Sequence, residues 1–256
     1  MIRNTWQRRE LLWVLAVKEF NGSYRQSLLG LSWALIQPLA VTFLGVLLRS
    51  VFQRSAGFGE DVVFVFAASL PWAVFSNSVL MGTASVVRNG DVLKKVYFPR
   101  EVFVISAALT RLVDFVVAAA GLAVVMLVAG VPFRIWLLTI PLLLLIVMVL
   151  AVGISLFTAA AAVYKRDVMF GMPFVMMFWM FLSPVFYEVG DVPEAFRQWY
   201  MLNPMAGVVT AFRQVILYGH APGARSVGFA ALASAAVLTA GYAVFKRLEM
   251  RFADVI

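Results

Sequence analysis

Arg111 and Asp114 stand three residues apart inside a long apolar run of this 256-residue chain. On a helix that spacing puts a guanidinium and a carboxylate on one face, where they can pair. A charge at the centre of a membrane helix costs roughly 2.5–3.5 kcal/mol on insertion scales, so the pair reads either as a packing device or as a contact for a solute. A second acidic set, Glu188, Asp191 and Glu194, recurs every three residues after another apolar stretch. It can gather as a reactive cluster, or cap and solvate the helix that follows. The one histidine, His220, has Pro222 beside it and no second ligand-type residue nearby, which fits a surface histidine better than a metal site or a base. The absence of cysteine excludes disulfides, thiolate metal sites and cysteine nucleophiles. There is no G-x-x-x-x-G-K-[ST] phosphate loop, and no chain of buried acids or histidines that would relay protons. These residues argue against an enzyme, and any energy for transport must come from elsewhere.

Hydropathy sets the elements that position these groups. The chain is 63% hydrophobic and 13% charged, with a mean hydropathy of +0.92. Six apolar segments, 28–48, 62–80, 102–131, 135–163, 168–187 and 227–245, approach or exceed the ~20 residues a helix needs to cross a bilayer. They lack strand-like alternation, so helices are expected rather than a barrel. The expected fold is an all-α membrane protein with residues 28–256 forming one six-span domain. Residues 1–27 are expected to form an amphipathic helix on the membrane surface, with Ile2, Trp6, Trp13, Val17 and Phe20 sharing its apolar face and Leu11 and Leu15 interrupting the polar one. That helix reads as a lipid anchor or as a lever touching a cytoplasmic partner. Arg8, Arg9, Glu10, Lys18 and Glu19 interrupt anything resembling a cleavable signal. Basic residues on the side that holds both termini outnumber those on the other by more than two to one, which predicts cytoplasmic termini. The net charge of +8 is thus mainly a topology signal, not a nucleic-acid footprint.

Between the second and third spans, the turn Asn89-Gly90-Asp91 precedes Val92-Leu93-Lys94-Lys95-Val96-Tyr97-Phe98. Asp91 can cap a short helix there and Pro99 can end it, giving a docking knob or a solvated basic loop. Pro193, Pro204 and Pro222 divide the long segment 188–226, with helices expected over 193–202 and 205–218. The second is apolar but too short to span, so it reads as re-entrant or interfacial. Aromatic residues concentrate in two places: Trp33, Trp72 and Phe75 in the first two spans, and Phe174, Phe178, Trp179, Phe181, Phe186 and Tyr187 in the fifth. Rigid rings make walls for the C–H faces of sugars, and Ser69, Ser76, Asn77 and Ser78 can add hydrogen bonds. Packing or lipid-facing aromatics are the alternative.

YRQSLLGLSWALIQP (24–38), LPWAVFSNS (70–78), LKKVYFPRE (93–101), YKRDV (164–168), LSPVFY (182–187) and LNPM (202–205) occur in that order. Together they resemble the permeases of type-2 ABC exporters, most closely those that move O-antigen polysaccharide and next those for teichoic acid and capsule. The resemblance implies a homodimer joined by two copies of a separate ABC ATPase in the bacterial inner membrane. It implies export of a glycan carried on a polyprenyl diphosphate. It places the coupling helix at Asp91, Val92, Leu93, Lys94, Lys95, Tyr97 and Phe98, an interface helix at the N-terminus, and gate helices over 193–218. Trp33, Trp72, Phe75, Phe181 and Tyr187 become candidates for the pore wall. Arg25 with Lys94 or Lys95 could attract the lipid diphosphate at the cytoplasmic entrance. No cofactor is expected on this chain, since ATP and Mg would sit in the partner. Rival readings are a small-lipid or drug exporter on the same fold, and a secondary transporter, which would need buried ion-coupling acids and internal repeats.

Overall fold

The computed structural model describes residues 9–24, 28–52, 57–90, 99–250 and 252. Among them the elements are helical, with no strand. In chain order they are α1 (Arg9–Tyr24), α2 (Trp33–Val51), α3 (Phe58–Arg88), α4 (Glu101–Val128), α5 (Ile140–Tyr164), α6 (Asp167–Phe181), α7 (Glu194–Tyr200), α8 (Pro204–Arg213) and α9 (Ala224–Glu249). A 3₁₀ turn leads into α2 and another into α5, and a π-helical turn, Gln214–Tyr218, extends α8.

α3 is the axis around which the rest assembles. Of its most apolar window, 83% is buried, against 17% in α9 at the periphery. The helices α2, α4, α5, α6 and α8 all pack against it. Where helices pack in lipid, small residues let backbones approach. Gly153 of α5 and Gly241 of α9 do this: a Cβ on Gly241 would strike the Gly153 carbonyl oxygen, and one on Gly153 would lie 2.7 Å from the Leu238 backbone. Hydroxyls add cross-helix bonds, with Thr83 and Thr158 oxygens 2.6 Å apart and Ser155 donating to the Ser78 carbonyl at 3.3 Å.

Among the described residues, five helical stretches, where six were expected, are long and apolar enough to span: Gly30–Val51, Phe58–Arg88, Glu101–Val128, Ile135–Tyr164 and Ala224–Glu249. The expected fifth span, 168–187, is a 15-residue helix ending at Phe181, followed by an irregular turn. At 1.5 Å per residue α6 covers about 22 Å. Side chains receive the carbonyls freed where it stops. The Tyr187 hydroxyl donates to the Phe181 carbonyl at 2.7 Å, and Asn203 Nδ2 to that of Leu182 at 3.0 Å. Within the turn, Pro184 has no N–H to continue the ladder.

α1 lies against α4, with Thr110 donating to the Ala16 carbonyl at 3.5 Å, while Lys18 donates to Asn89 Oδ1 at 3.2 Å at the end of α3. Leu15, Ala16, Glu19 and Phe20 are half-buried, whereas Val17 is exposed. Ile2 and Trp6 lie outside the described residues.

One end of the bundle carries Arg88, Arg100, Lys165 and Lys246 and is called the basic end below. There the start of α4 is tied to the end of α9. Lys246 pairs with Glu101 at 2.7 Å and with Glu249 at 2.6 Å, Arg100 donates to the Glu249 carbonyl, and Tyr164 donates to that of Leu248 at 3.1 Å. Phe252 seals this corner, edge-on to Tyr164 and Phe245.

Candidate functional site

Two cavities hold the residues of interest. The first, about 420 Å³, opens between α2, α3 and α4 in the half of the bundle nearer the basic end. Trp33 and Gln37 come from the first turns of α2, Asn77 and Met81 from the lower part of α3, and Arg111, Asp114 and Phe115 from α4. Arg111 and Asp114 form an ion pair of 2.8 Å and are only 6% and 8% exposed. Across from them, Asn77 Nδ2 donates to Gln37 Oε1 at 2.9 Å, and the reciprocal bond is stretched to 3.5 Å. Pro38 removes a backbone donor beside this opening, and the Thr42 hydroxyl takes the Pro38 carbonyl at 2.8 Å.

The second cavity, about 400 Å³, lies at the opposite end between the last turn of α2 and the turn after α6. Leu48, Arg49 and Phe52 form one wall; Phe181, Phe186 and Tyr187 form the other, with Asp191 at its edge. Arg213, 3% exposed, fixes the second wall from behind. Its guanidinium donates to the carbonyls of Phe64 at 3.1 Å, Tyr187 at 2.8 Å and Val185 at 2.7 Å. It also lies 3.6 Å from the centre of the Phe64 ring, over which Arg49 stands at 3.9 Å while pairing with Asp61 at 2.8 Å. Burial pulls the Arg213 guanidinium down to about 9, which leaves it charged at neutral pH. Beside it, burial and a hydrogen bond to Glu188 push the Tyr218 phenol up to about 12, so it stays a donor to that carboxylate at 2.6 Å.

The sequence candidates fall into three groups. Trp33, 51% exposed, lines the first cavity; Phe181, 48% exposed, and Tyr187 line the second. Trp72 and Phe75 are 5% and 0% exposed: their rings lie 5.4 Å apart, and Phe75 meets Trp179 edge-on at 5.2 Å, so both pack inside the chain behind α6. Arg25 and the whole of Asp91, Val92, Leu93, Lys94, Lys95, Tyr97 and Phe98 lie outside the described residues. Of the acidic set after α6, Glu188 and Asp191 are spent on local structure, and Glu194 opens α7. Asp191 accepts from the Glu188 backbone N–H at 3.1 Å in a capping box, and Glu188 accepts from Tyr218. His220 is exposed, and among the described residues no group of three or more His, Asp or Glu side chains could hold a metal ion.

Sequence reasoning missed Arg213, which entered only a count of charges on the outer side. Its signal was its place on the apolar helix 205–218, where an arginine among Val208, Val209, Phe212 and Val215 has little water to reach. It also missed the Gln37–Asn77 pairing, because nothing in the sequence shows that the two residues share a level across adjacent helices.

The model of the ABC-2 type transporter family matches residues 10–217. A Myxococcus xanthus protein named O-antigen export system permease protein RfbA is 30% identical over 263 aligned residues, covering 100% of this chain and 99% of the relative. A Klebsiella pneumoniae protein of the same name is 23% identical over 248 residues, covering 96% and 95%. Matched over most of its length and aligned end to end with these permeases, this multi-pass helical chain belongs to the ABC-2 type transporter family.

Proposed function

We propose that this chain is the transmembrane permease of an ATP-driven exporter that moves polyprenyl-diphosphate-linked polysaccharide, O-antigen-like, across the bacterial inner membrane. The observation that carries the reading is the end-to-end match to permeases named for O-antigen export. The exposed aromatic surface is what such a task needs. Phe170, Phe174, Phe178 and Phe181 form a stripe along α6, and Trp33 and Phe43 stand out from α2. Two chains facing each other across these helices would enclose a path walled by rings, which hold sugars weakly enough to let them slide. Trp33, Phe181 and Tyr187 would line that path directly, with Trp72 and Phe75 backing the wall.

In this reading α6 and the turn after it make a sixth crossing. The segment starts beside Lys165 at the basic end and finishes against Phe64 at the opposite one, so the irregular turn supplies the length the helix lacks. The basic end is cytoplasmic, with both termini. There a homodimer meets two copies of an ABC ATPase, which bind ATP and Mg. Residues 91–98 serve as the coupling element and α1 as the interface helix. Their flanks suit that work: Lys18 bonds Asn89 just before the segment, and Arg100 and Glu101 are tied to α9 just after it. A push on 91–98 would therefore reach α3, α4 and α9 together. Arg25, Lys94 and Lys95 would draw the lipid diphosphate to this face. Helices α7 and α8 form the gate on the far side.

Purifying the tagged chain from its native membrane in mild detergent tests this. A stoichiometric ATPase bearing a phosphate-binding loop is the expected companion. A clean homomer, repeated with nucleotide present, would overturn the reading.

A further inference from the structure

We propose that the cavity between α2, α3 and α4 is a glycan subsite, which hydrogen-bonds a short stretch of sugar rings in the cytoplasmic half of the membrane; this rests on the export reading above. Four polar side chains from three helices converge on it: Gln37, Asn77, Arg111 and Asp114. Arg111 and Asp114 are each more than nine-tenths buried, and both border the open space of the cavity. A buried ion pair kept for packing alone is no better than apolar residues of the same volume, and lipid makes the charges dearer. Lining a cavity gives the pair a use that packing does not.

The mixture of groups selects the ligand. A phosphate would want donors only, and Asp114 would repel it. A cation would want acceptors only, and an isoprenoid chain neither. A sugar hydroxyl donates and accepts at once, and here a guanidinium, a carboxylate and two amides stand together. Each carboxamide has two N–H donors and two acceptor sites, and the Gln37–Asn77 pairing occupies at most one of each. The indole of Trp33 at the rim and the ring of Phe115 inside offer the flat apolar surfaces that pyranose C–H faces require. About 420 Å³ falls within the roughly 300–1,000 Å³ of small-molecule sites. The aromatic wall lets any glycan slide; this subsite would decide which glycan is accepted.

The test uses the native permease–ATPase complex in proteoliposomes. ATP hydrolysis is followed against two lipids: polyprenyl diphosphate bearing a short oligosaccharide of the native glycan, and bare polyprenyl diphosphate. Gln37→Leu alters an exposed side chain, and Asn77→Leu gives an independent variant; size-exclusion with the ATPase reports assembly. In either variant the half-saturating concentration of the sugar-bearing lipid should rise about tenfold, as for one lost hydrogen bond, while that of the bare lipid stays put. An equal rise for both lipids would make this a head-group site and overturn the sugar assignment. No rise for either in assembled variants would leave the amides structural and overturn it too. A native complex that responds to neither lipid would instead sink the export reading, and the subsite with it.

Discussion

Arg213 at the far end and Arg111 in the half nearer the basic end are both almost wholly buried, but the groups that meet them differ. Arg213 donates to three backbone carbonyls and lies over the Phe64 ring, so its whole fork serves to pin the turn after α6. Arg111 bonds a side chain, Asp114, at the border of an open cavity that Gln37 and Asn77 also face. Backbone carbonyls cannot move away or be exchanged without unmaking the fold, whereas side-chain partners can rearrange around a ligand. Under the proposed reading, buried polarity in this bundle does two jobs: it fixes structure at the far end and stays exchangeable near the basic end.

Arg213→Ala should separate the two ends most sharply. It would strand three carbonyls and lose the Phe64 contact, at a cost of about 3–5 kcal/mol, seen as a large fall in the thermal midpoint of the detergent-solubilised chain. Arg213→Lys should recover only part of this, since one ammonium lacks the planar fork that reaches three acceptors. A mild Arg213→Ala phenotype would mean the turn is held by Asn203 and Tyr187 alone. Beside the first cavity, Asp114→Leu by itself should cost about 3 kcal/mol by removing the carboxylate that lies 2.8 Å from the buried Arg111 guanidinium. Arg111→Leu combined with Asp114→Leu should return to within about 1 kcal/mol of the native midpoint while losing the response to sugar-bearing lipid. Full transport by the double variant would show that the pair serves packing.

The sequence disclosed the apolar spans because lipid leaves no other way to satisfy a backbone, and Met205–Tyr218 stood out as too short to cross. The end of α6 was not legible. Residues 168–187 are apolar throughout, and only the bonds from Tyr187, Asn203 and Arg213 explain why the helix can stop at Phe181 with its carbonyls satisfied. The aromatic candidates were legible as a set but not by facing: Phe181 stands out while Phe75, equally apolar, is enclosed. Arg49 and Arg213 entered the sequence reading only as charges on the outer side, because a count of charges has no depth coordinate.

A smaller effect probes the helix seam at the edge of the bundle. Gly241→Val should press on the Gly153 backbone and cost about 1–3 kcal/mol, lowering the midpoint without changing which lipid stimulates ATP hydrolysis. Smallest in stability, and largest in its contrast with function, is Phe178→Ala. That ring is exposed on α6, so the midpoint should move by under about 0.5 kcal/mol while export slows severalfold. An unchanged export rate would return the stripe to ordinary lipid contact.

The most direct measurement of the central claim is movement of the lipid-linked glycan itself. Permease and ATPase are reconstituted in proteoliposomes, and the glycan exposed on the trans side is counted with a lectin before and after ATP. ATP-dependent appearance that requires both subunits is the predicted result. Appearance driven by an ion gradient without the ATPase, or none with an assembled and hydrolysing complex, would contradict it.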